Sequence, residues 1–283
     1  MSARIEELDH LGLPAVRLET NRGASAIISL VGGQVLSWRP TGGGGERLFL
    51  SPAAVLDGST PIRGGIPVCF PQFADLGRLP KHGLLRTRRW AIKEQRIQDG
   101  YAMVTLWVSE DDASHAAWPY AFNCELTVLI EDDRLDLEFE VENTGYGSFV
   151  FTGALHTYLA VREVEEISLQ GLYGTHYTDK TTGKERIRET GEVVRIADET
   201  DRIYRDAARP LTLHDSGREL AIRTEGFPDV VVWNPWVEKC AALSDMGALD
   251  FRRMLCVEAA ITRPIELPAG ENWWGRQTLV ALA

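Results

Sequence analysis

A chain of 283 residues with 30 Lys and Arg against 41 Asp and Glu carries a formal charge of −11, which excludes a general nucleic-acid or anionic-membrane surface and leaves any anion to a local site. Arg4, Glu6, Glu7, Asp9 and Arg17 break up residues 1–20, and no run approaches the ~18 apolar residues of a membrane span, so a cytoplasmic protein is expected. A chain of this length hides about three quarters of its unfolded surface, enough for residues 1–283 to form one domain. The four cysteines, Cys69, Cys124, Cys240 and Cys256, show neither metal-ligand spacing nor a disulfide framework, so reduced core thiols are expected.

In chain order, TGGGGE (41–46) reads as a hairpin loop, since it lacks the Gly-Lys-Ser/Thr ending of a phosphate-binding P-loop. Residues 61–87, PIRGGIPVCFPQFADLGRLPKHGLLRT, are irregular and rich in Pro and Gly. YAMVTLWV (101–108) alternates with a strand's two-residue period, 111–117 is the one short helix, and FNCELTVLI (122–130) alternates again. RLDLEFEVE (134–142) puts Leu135, Leu137, Phe139 and Val141 on one face and polar residues on the other, as a half-buried antiparallel strand does. Further strands are expected at 148–161, 219–224, 229–233 and 272–282. Regular strands separated by turns, without βαβ alternation, predict an all-β sandwich or barrel.

Within 61–87, Pro61, Pro67 and Pro71 stiffen the loop, while Gly64-Gly65 permits a tight turn and brings backbone N–H groups near a ligand. Arg63 lies before the glycine pair; Lys81, His82 and Arg86 follow a second turn. Folded back on itself, the loop converges two guanidiniums and an ammonium, a set suited to phosphate. Alternatively, Arg63 and Arg86 bridge acidic strand faces elsewhere. Arg88 and Arg89 read as solvated charge.

Two apolar strands each carry one isolated titratable residue: His156 in GALHTYLAV and Glu258 in LCVEAAI. His156 shares a face with Thr152, Ala154 and Tyr158, which leaves room for a ligand, although a hydrogen-bonded core histidine fits the same pattern. A carboxylate in an apolar strand needs either a functional setting or an arginine partner such as Arg252, Arg253 or Arg263. Asp201, in ETDRIY, is either a loop aspartate or an acceptor for ligand hydroxyls. Trp233 and Trp236 close an apolar strand, with stacking on a ligand or core packing both open. His10, His115, His176 and His214 sit in polar settings and receive no role.

PIRGGIPVCFPQF, KHGLLR, ALHTYLAV, DRIY, VVWNPW and CVEAA, in this order, resemble the glucose-6-phosphate 1-epimerase branch of the aldose 1-epimerase family over residues 12–280. The resemblance implies a galactose-mutarotase-type β supersandwich that interconverts the anomers of a hexose 6-phosphate, a small-molecule substrate, without cofactor or metal. It implies catalysis by Glu258 as base and His156 as acid, with substrate contacts from Arg63, Lys81, His82, Arg86 and Asp201. A mutarotase of unphosphorylated aldoses and a non-catalytic carbohydrate-binding sandwich are the alternatives; a glycosidase would need a second carboxylate beside C1. No nucleic-acid or membrane partner is expected. A monomer is expected, because no apolar strand edge or helix stripe is left over.

Overall fold

Alternating residues lay down long antiparallel strands, and the all-β class is borne out. Residues 134–142 lie in the strand Arg134–Asn143, whose Leu135, Leu137, Phe139 and Val141 are buried. The expected 122–130 and 272–282 are the strands Phe122–Ile130 and Asn272–Leu282; 101–108, 219–224 and 229–233 lie within Tyr101–Ser109, Arg218–Glu225 and Asp229–Asn234. The expected helix is Asp112–Ala117, started by a reciprocal capping box between Asp111 and Ser114. The computed structural model describes residues 2–42 and 45–282; Gly43 and Gly44 of the expected hairpin loop lie outside the described residues.

The strands form sheets of four, eight and nine strands. Arg4–His10, Leu13–Glu19, Ser25–Ser29 and Gln34–Arg39 make the smallest. The eight-stranded sheet runs Lys184–Arg188, His176–Asp179, Thr200–Arg205, Asp229–Asn234, Met254–Leu267, Phe149–Leu155 and Val68–Cys69, with Tyr158–Ala160 also paired to Met254–Leu267. Among the described residues no helix is long and apolar enough to cross a membrane. All four cysteines are free and buried.

The two faces of the central strand Met254–Leu267 meet different surroundings. Val257, Ala259 and Ile261 pack with Leu155, Val230 and Val232 in the main core, together with Leu126, Leu137, Phe139 and Leu279 of the nine-stranded sheet. Glu258 and Ala260 belong to the opposite face. There Ala154, Ile203, Val231 and Ala260, with Cys69 and Phe73, form a small apolar floor. Small and β-branched side chains keep that floor low.

The expected strand 148–161 is interrupted. Phe149–Leu155 ends, and Tyr158–Ala160 resumes after a gap of two residues, His156 and Thr157. At the gap the His156 N–H donates to the Pro67 carbonyl and the Tyr158 N–H to the Gly65 carbonyl, so the chain leaves the ladder to bond with the loop that carries Arg63. That loop is rooted by Phe70, whose ring meets Phe122 at 5.3 Å and Trp118 at 5.5 Å edge-on, a favourable geometry for buried aromatics.

Candidate active site

Above the apolar floor lies a cavity of about 470 Å³, and Arg63, Lys81, His82, Arg86, His156, Asp201 and Glu258 all line it. Three come from strands of the eight-stranded sheet or the gap between them: Asp201 from Thr200–Arg205, Glu258 from Met254–Leu267 and His156 from the interruption. The other four come from the loop 61–84 and the short 3₁₀ turn Leu85–Thr87. A larger hollow of about 730 Å³ lies against the four-stranded sheet, lined by Arg17, Glu19, Arg39 and Glu46 among others. It brings no buried acid and base together, so chemistry rather than volume selects the smaller one.

His156 and Glu258 meet at the cavity floor. The imidazole Nε2 lies 3.3 Å from the Glu258 Oε1, and the residues are only 8% and 1% exposed. His156 Nδ1 and Glu258 Oε2 are buried without a hydrogen-bond partner. Unsatisfied polar atoms of this kind are costly in a plain core and mark places where a ligand completes the bonding. The imidazole stacks on the Tyr158 ring at 4.7 Å with 12° between the planes. Burial, then the neighbouring His82, Arg63 and Arg86, pushes the His156 pKa well below the ordinary imidazole value. Burial, then Asp201, pushes the Glu258 carboxyl well above the ordinary carboxylate range, against the pull of Lys81.

The arginine partners that would have made Glu258 a structural ion pair lie elsewhere. Arg252 binds Glu163, Arg253 donates to the Arg162 carbonyl, and Arg263 pairs with Asp206 and Asp229. Asp201 is not a loop residue: it sits in strand register with Trp233. Burial raises its carboxyl pKa while Lys239, Lys180 and Lys81 oppose the rise. Trp233 lines the cavity, whereas Trp236 begins the helix Trp236–Ala242 and packs on Phe251 at 5.2 Å.

At the cationic end, Arg63 Nε binds Asp245 Oδ2 at 3.1 Å and its Nη1 donates to the Tyr158 hydroxyl at 3.0 Å. Burial alone would lower its pKa; Tyr158 and Asp245 outweigh burial and hold the guanidinium charged. Arg86 Nη2 donates to the Lys81 carbonyl at 2.5 Å, and its Nε is buried without a partner. Among the described residues no carboxylate forms an ion pair with Arg86 or Lys81, and Arg63's partner Asp245 stands in a turn on the same cavity wall rather than on a strand face elsewhere, so the two guanidiniums and the ammonium converge on one cavity. Arg88 departs from the solvated reading: it pairs with Asp111 and donates to the Ser109 carbonyl.

The glycine pair also departs from expectation. A Cβ on Gly64 would meet the Phe49 carbonyl oxygen at 2.4 Å and one on Gly65 the Val35 carbonyl oxygen at 2.1 Å. The Gly65 N–H donates to that Phe49 carbonyl. Glycine is required here for close approach of the chain to itself, and the Gly65 N–H is taken up by that approach. Lys180, Lys239 and Asp245, which sequence reasoning missed, also line the cavity; they stand in or beside turns and in a short helix, and no local pattern announces their convergence.

His156, Cys256 and Glu258 bring one potential metal-ligand atom each within 4.8 Å of one another. Burial pushes the Cys256 thiol well up, which opposes the thiolate that a metal requires. The trio fits a metal poorly.

Residues 14–279 match the family model described as aldose 1-epimerase. A protein of Cenchrus ciliaris, provisionally named glucose-6-phosphate 1-epimerase, is 37% identical over 284 residues, covering 96% of this chain and 85% of that protein. A crystal structure from Salmonella typhimurium, provisionally described as a mutarotase, is 27% identical with a TM-score of 0.89, covering 99% of this chain and 93% of that one. A galactose mutarotase-like protein from Clostridium acetobutylicum, 15% identical, superposes with a TM-score of 0.76 over 100% of this chain and 98% of its own, a likeness of fold alone. The expected galactose-mutarotase-type sandwich is the observed fold, and the chain belongs to the aldose 1-epimerase family.

Proposed function

We propose that this protein interconverts the α and β anomers of a hexose 6-phosphate, glucose 6-phosphate foremost, by acid–base opening and closure of the ring. The observation that carries the reading is one cavity with a buried imidazole and carboxylate 3.3 Å apart and Arg63, Lys81 and Arg86 on its wall. The names of the relatives and the family support the same reaction. The cationic groups favour a phosphate ester over a free aldose, since a guanidinium pairs with phosphate through two bonds at once. A diffusible sugar phosphate as substrate supports a cytoplasmic location.

Ring opening removes the proton of the C1 hydroxyl and supplies one to the ring oxygen: the C1–O5 bond breaks, O1 becomes the carbonyl oxygen of C1, and O5 stays on C5 as a hydroxyl. Glu258 as carboxylate takes the first proton and His156 as imidazolium gives the second. Rotation about C1–C2 presents the other face of the aldehyde, and the reverse transfers close the ring. The pair holds one proton before opening and one after it, so no exchange with solvent is required. Burial favours the neutral acid and neutral imidazole, which is the pair's state after ring opening and before closure. Positioned acid–base groups contribute about 10²–10⁴-fold, enough for a reaction that water alone already permits. Asp201 accepts hydrogen bonds from ring hydroxyls, and Trp233 offers an apolar face to the sugar.

The active form is the one-proton pair, so its two apparent pKa values belong to the pair as a whole. Below the lower value, set by the depressed His156, a second proton blocks the base; above the higher value, set by the raised Glu258, the pair has no proton to give. A broad bell-shaped kcat/KM is expected, since burial pushes the two limbs apart, and a profile that falls on neither the acid nor the alkaline side with chemistry rate-limiting contradicts the scheme. The direct test is magnetisation exchange between the anomeric NMR signals of glucose 6-phosphate. Exchange accelerated by the wild-type protein supports the reading; no acceleration overturns it.

A further inference from the structure

The cavity contains two imidazoles 5.1 Å apart, edge to face, and only His82 has partners on its Nδ1. His82 has a φ of 66°, and Gly83 follows with 77°, a left-handed turn that L-residues rarely adopt. The turn is fixed because the His82 N–H donates to the Ala74 carbonyl and the Leu84 N–H to the Phe70 carbonyl. Within it the ring Nδ1 lies 3.3 Å from the Ala74 amide nitrogen and 3.3 Å from the Cys69 Sγ. A backbone amide can only donate, so Nδ1 must present its lone pair, and a neutral ring then carries its proton on Nε2. Burial keeps the Cys69 thiol protonated, so the sulfur donates to the same lone pair. Burial, with Arg86, Lys81 and Arg63 nearby, holds the ring neutral, its pKa pushed down to about 3.

We propose that Cys69 and the Ala74 amide lock His82 as the Nε2–H tautomer, which makes Cys69 a positioning residue and His82 a fixed hydrogen-bond donor to sugar oxygens rather than a proton-transfer group. This rests on the anomer-interconversion reading for its ligand. The lock separates the labours of the two rings. His156 has no partner on Nδ1, and its Nε2 faces the Glu258 carboxyl at 3.3 Å, itself a group that gains and loses a proton, so no backbone donor locks the ring in one protonation state. A second titrating imidazole beside it would compete for that proton; a ring held neutral orients the sugar without competing.

In wild-type protein labelled with ¹⁵N-histidine and free of substrate, the His82 Nδ1 resonance is expected to be pyridine-type and Nε2 pyrrole-type from about pH 5 to 9. A pyrrole-type Nδ1, or a ring that titrates in that range, overturns the proposal. This measurement does not involve the reaction, so absent anomer exchange in the wild type would defeat the functional reading while leaving the tautomer to be judged separately. Cys69→Ala should move the Nδ1 resonance and Cys69→Ser should restore it; a resonance unmoved in Cys69→Ala removes the thiol from the lock. His82→Gln places an N–H near the position of Nε2, and His82→Asn places one near Nδ1. The glutamine variant is expected to keep kcat within about threefold and the asparagine variant to lower it about tenfold, the worth of one neutral hydrogen bond. Equal losses in both would mean that the ring must exchange a proton, and would sink the proposal.

Discussion

The cavity has two halves built on different principles. Asp201 and Glu258 belong to the ladder of the eight-stranded sheet, opposite Trp233 and Val231, and His156 sits in the gap between two of its strands, its N–H bonded to the Pro67 carbonyl. Arg63, Lys81, His82 and Arg86 belong to a segment with few ladder bonds, shaped by local staples. Gln72 Nε2 donates to the Ala74 and Leu79 carbonyls, Leu79 N–H donates back to Gln72 Oε1, and Phe73 N–H donates to the Thr152 hydroxyl. The sheet fixes Glu258 within its ladder and His156 at its interruption, giving the groups that move protons the close placement that proton transfer demands. The stapled loop holds groups that need only supply charge and direction, and charge tolerates small displacement better than proton transfer does.

The largest test of this division falls on the sheet. Glu258→Gln keeps shape but cannot accept a proton, so kcat is expected to fall by about 10²–10⁴-fold with KM nearly unchanged. Anomer exchange by NMR at saturating substrate measures it. A loss expressed mainly in KM would move Glu258 from the chemistry to binding and erase the distinction between the halves.

Next in size is the root of the loop. Phe70→Ala removes a fully buried ring packed against Phe122 and Trp118, and a loss of about 3–5 kcal/mol in unfolding free energy is expected. Urea denaturation gives the value. A loss below about 1 kcal/mol would mean that the loop is anchored by its staples alone.

Charge comes third, and the two arginines should separate. Arg86 makes no ion pair among the described residues, so Arg86→Gln should cost about 10–100-fold in kcat/KM on glucose 6-phosphate, the worth of one charged hydrogen bond, and little on free glucose. Arg63 also holds the Tyr158 hydroxyl at 3.0 Å, and Tyr158 underlies the His156 ring. Arg63→Ala should therefore lower activity on both sugars. Equal behaviour of the two variants would make the cationic end a single electrostatic field rather than one phosphate ligand and one support.

The same division explains what the sequence makes legible. Strands buried on one face, such as Phe122–Ile130 and Asn272–Leu282, carry the two-residue period, and a histidine or glutamate inside such an apolar run stands out; His156 and Glu258 are visible for that reason. Arg4–His10 shows no such period because its residues are mostly exposed or only part-buried, and Lys184–Arg188 at a sheet edge is exposed at most positions. With no buried face to impose alternation, both escape pattern reading. Lys180, Lys239 and Asp245 escape for another reason: they stand in turns and a short helix far apart in sequence, and no local spacing encodes their meeting. Gly64-Gly65 was legible as a tight turn but not as the place where two backbones nearly touch, since the second backbone comes from Val35 and Phe49.

The smallest effect probes the seam between the halves. Thr152 lies on the strand Phe149–Leu155, and its hydroxyl accepts the Phe73 N–H of the loop at 2.7 Å. Thr152→Val keeps volume and branching but leaves that buried N–H without an acceptor, which costs about 1–3 kcal/mol. If the loop is a separately stapled unit, the loss appears first as faster hydrogen exchange at the amides of Phe73, His82 and Leu84, while amides of Met254–Leu267 keep their protection. Activity should then fall through KM for the 6-phosphate before kcat changes, because the cationic groups shift while the His156–Glu258 pair does not. If Met254–Leu267 amides lose protection in step with the loop, the two halves open as one, and the ladder places the loop groups as firmly as its own.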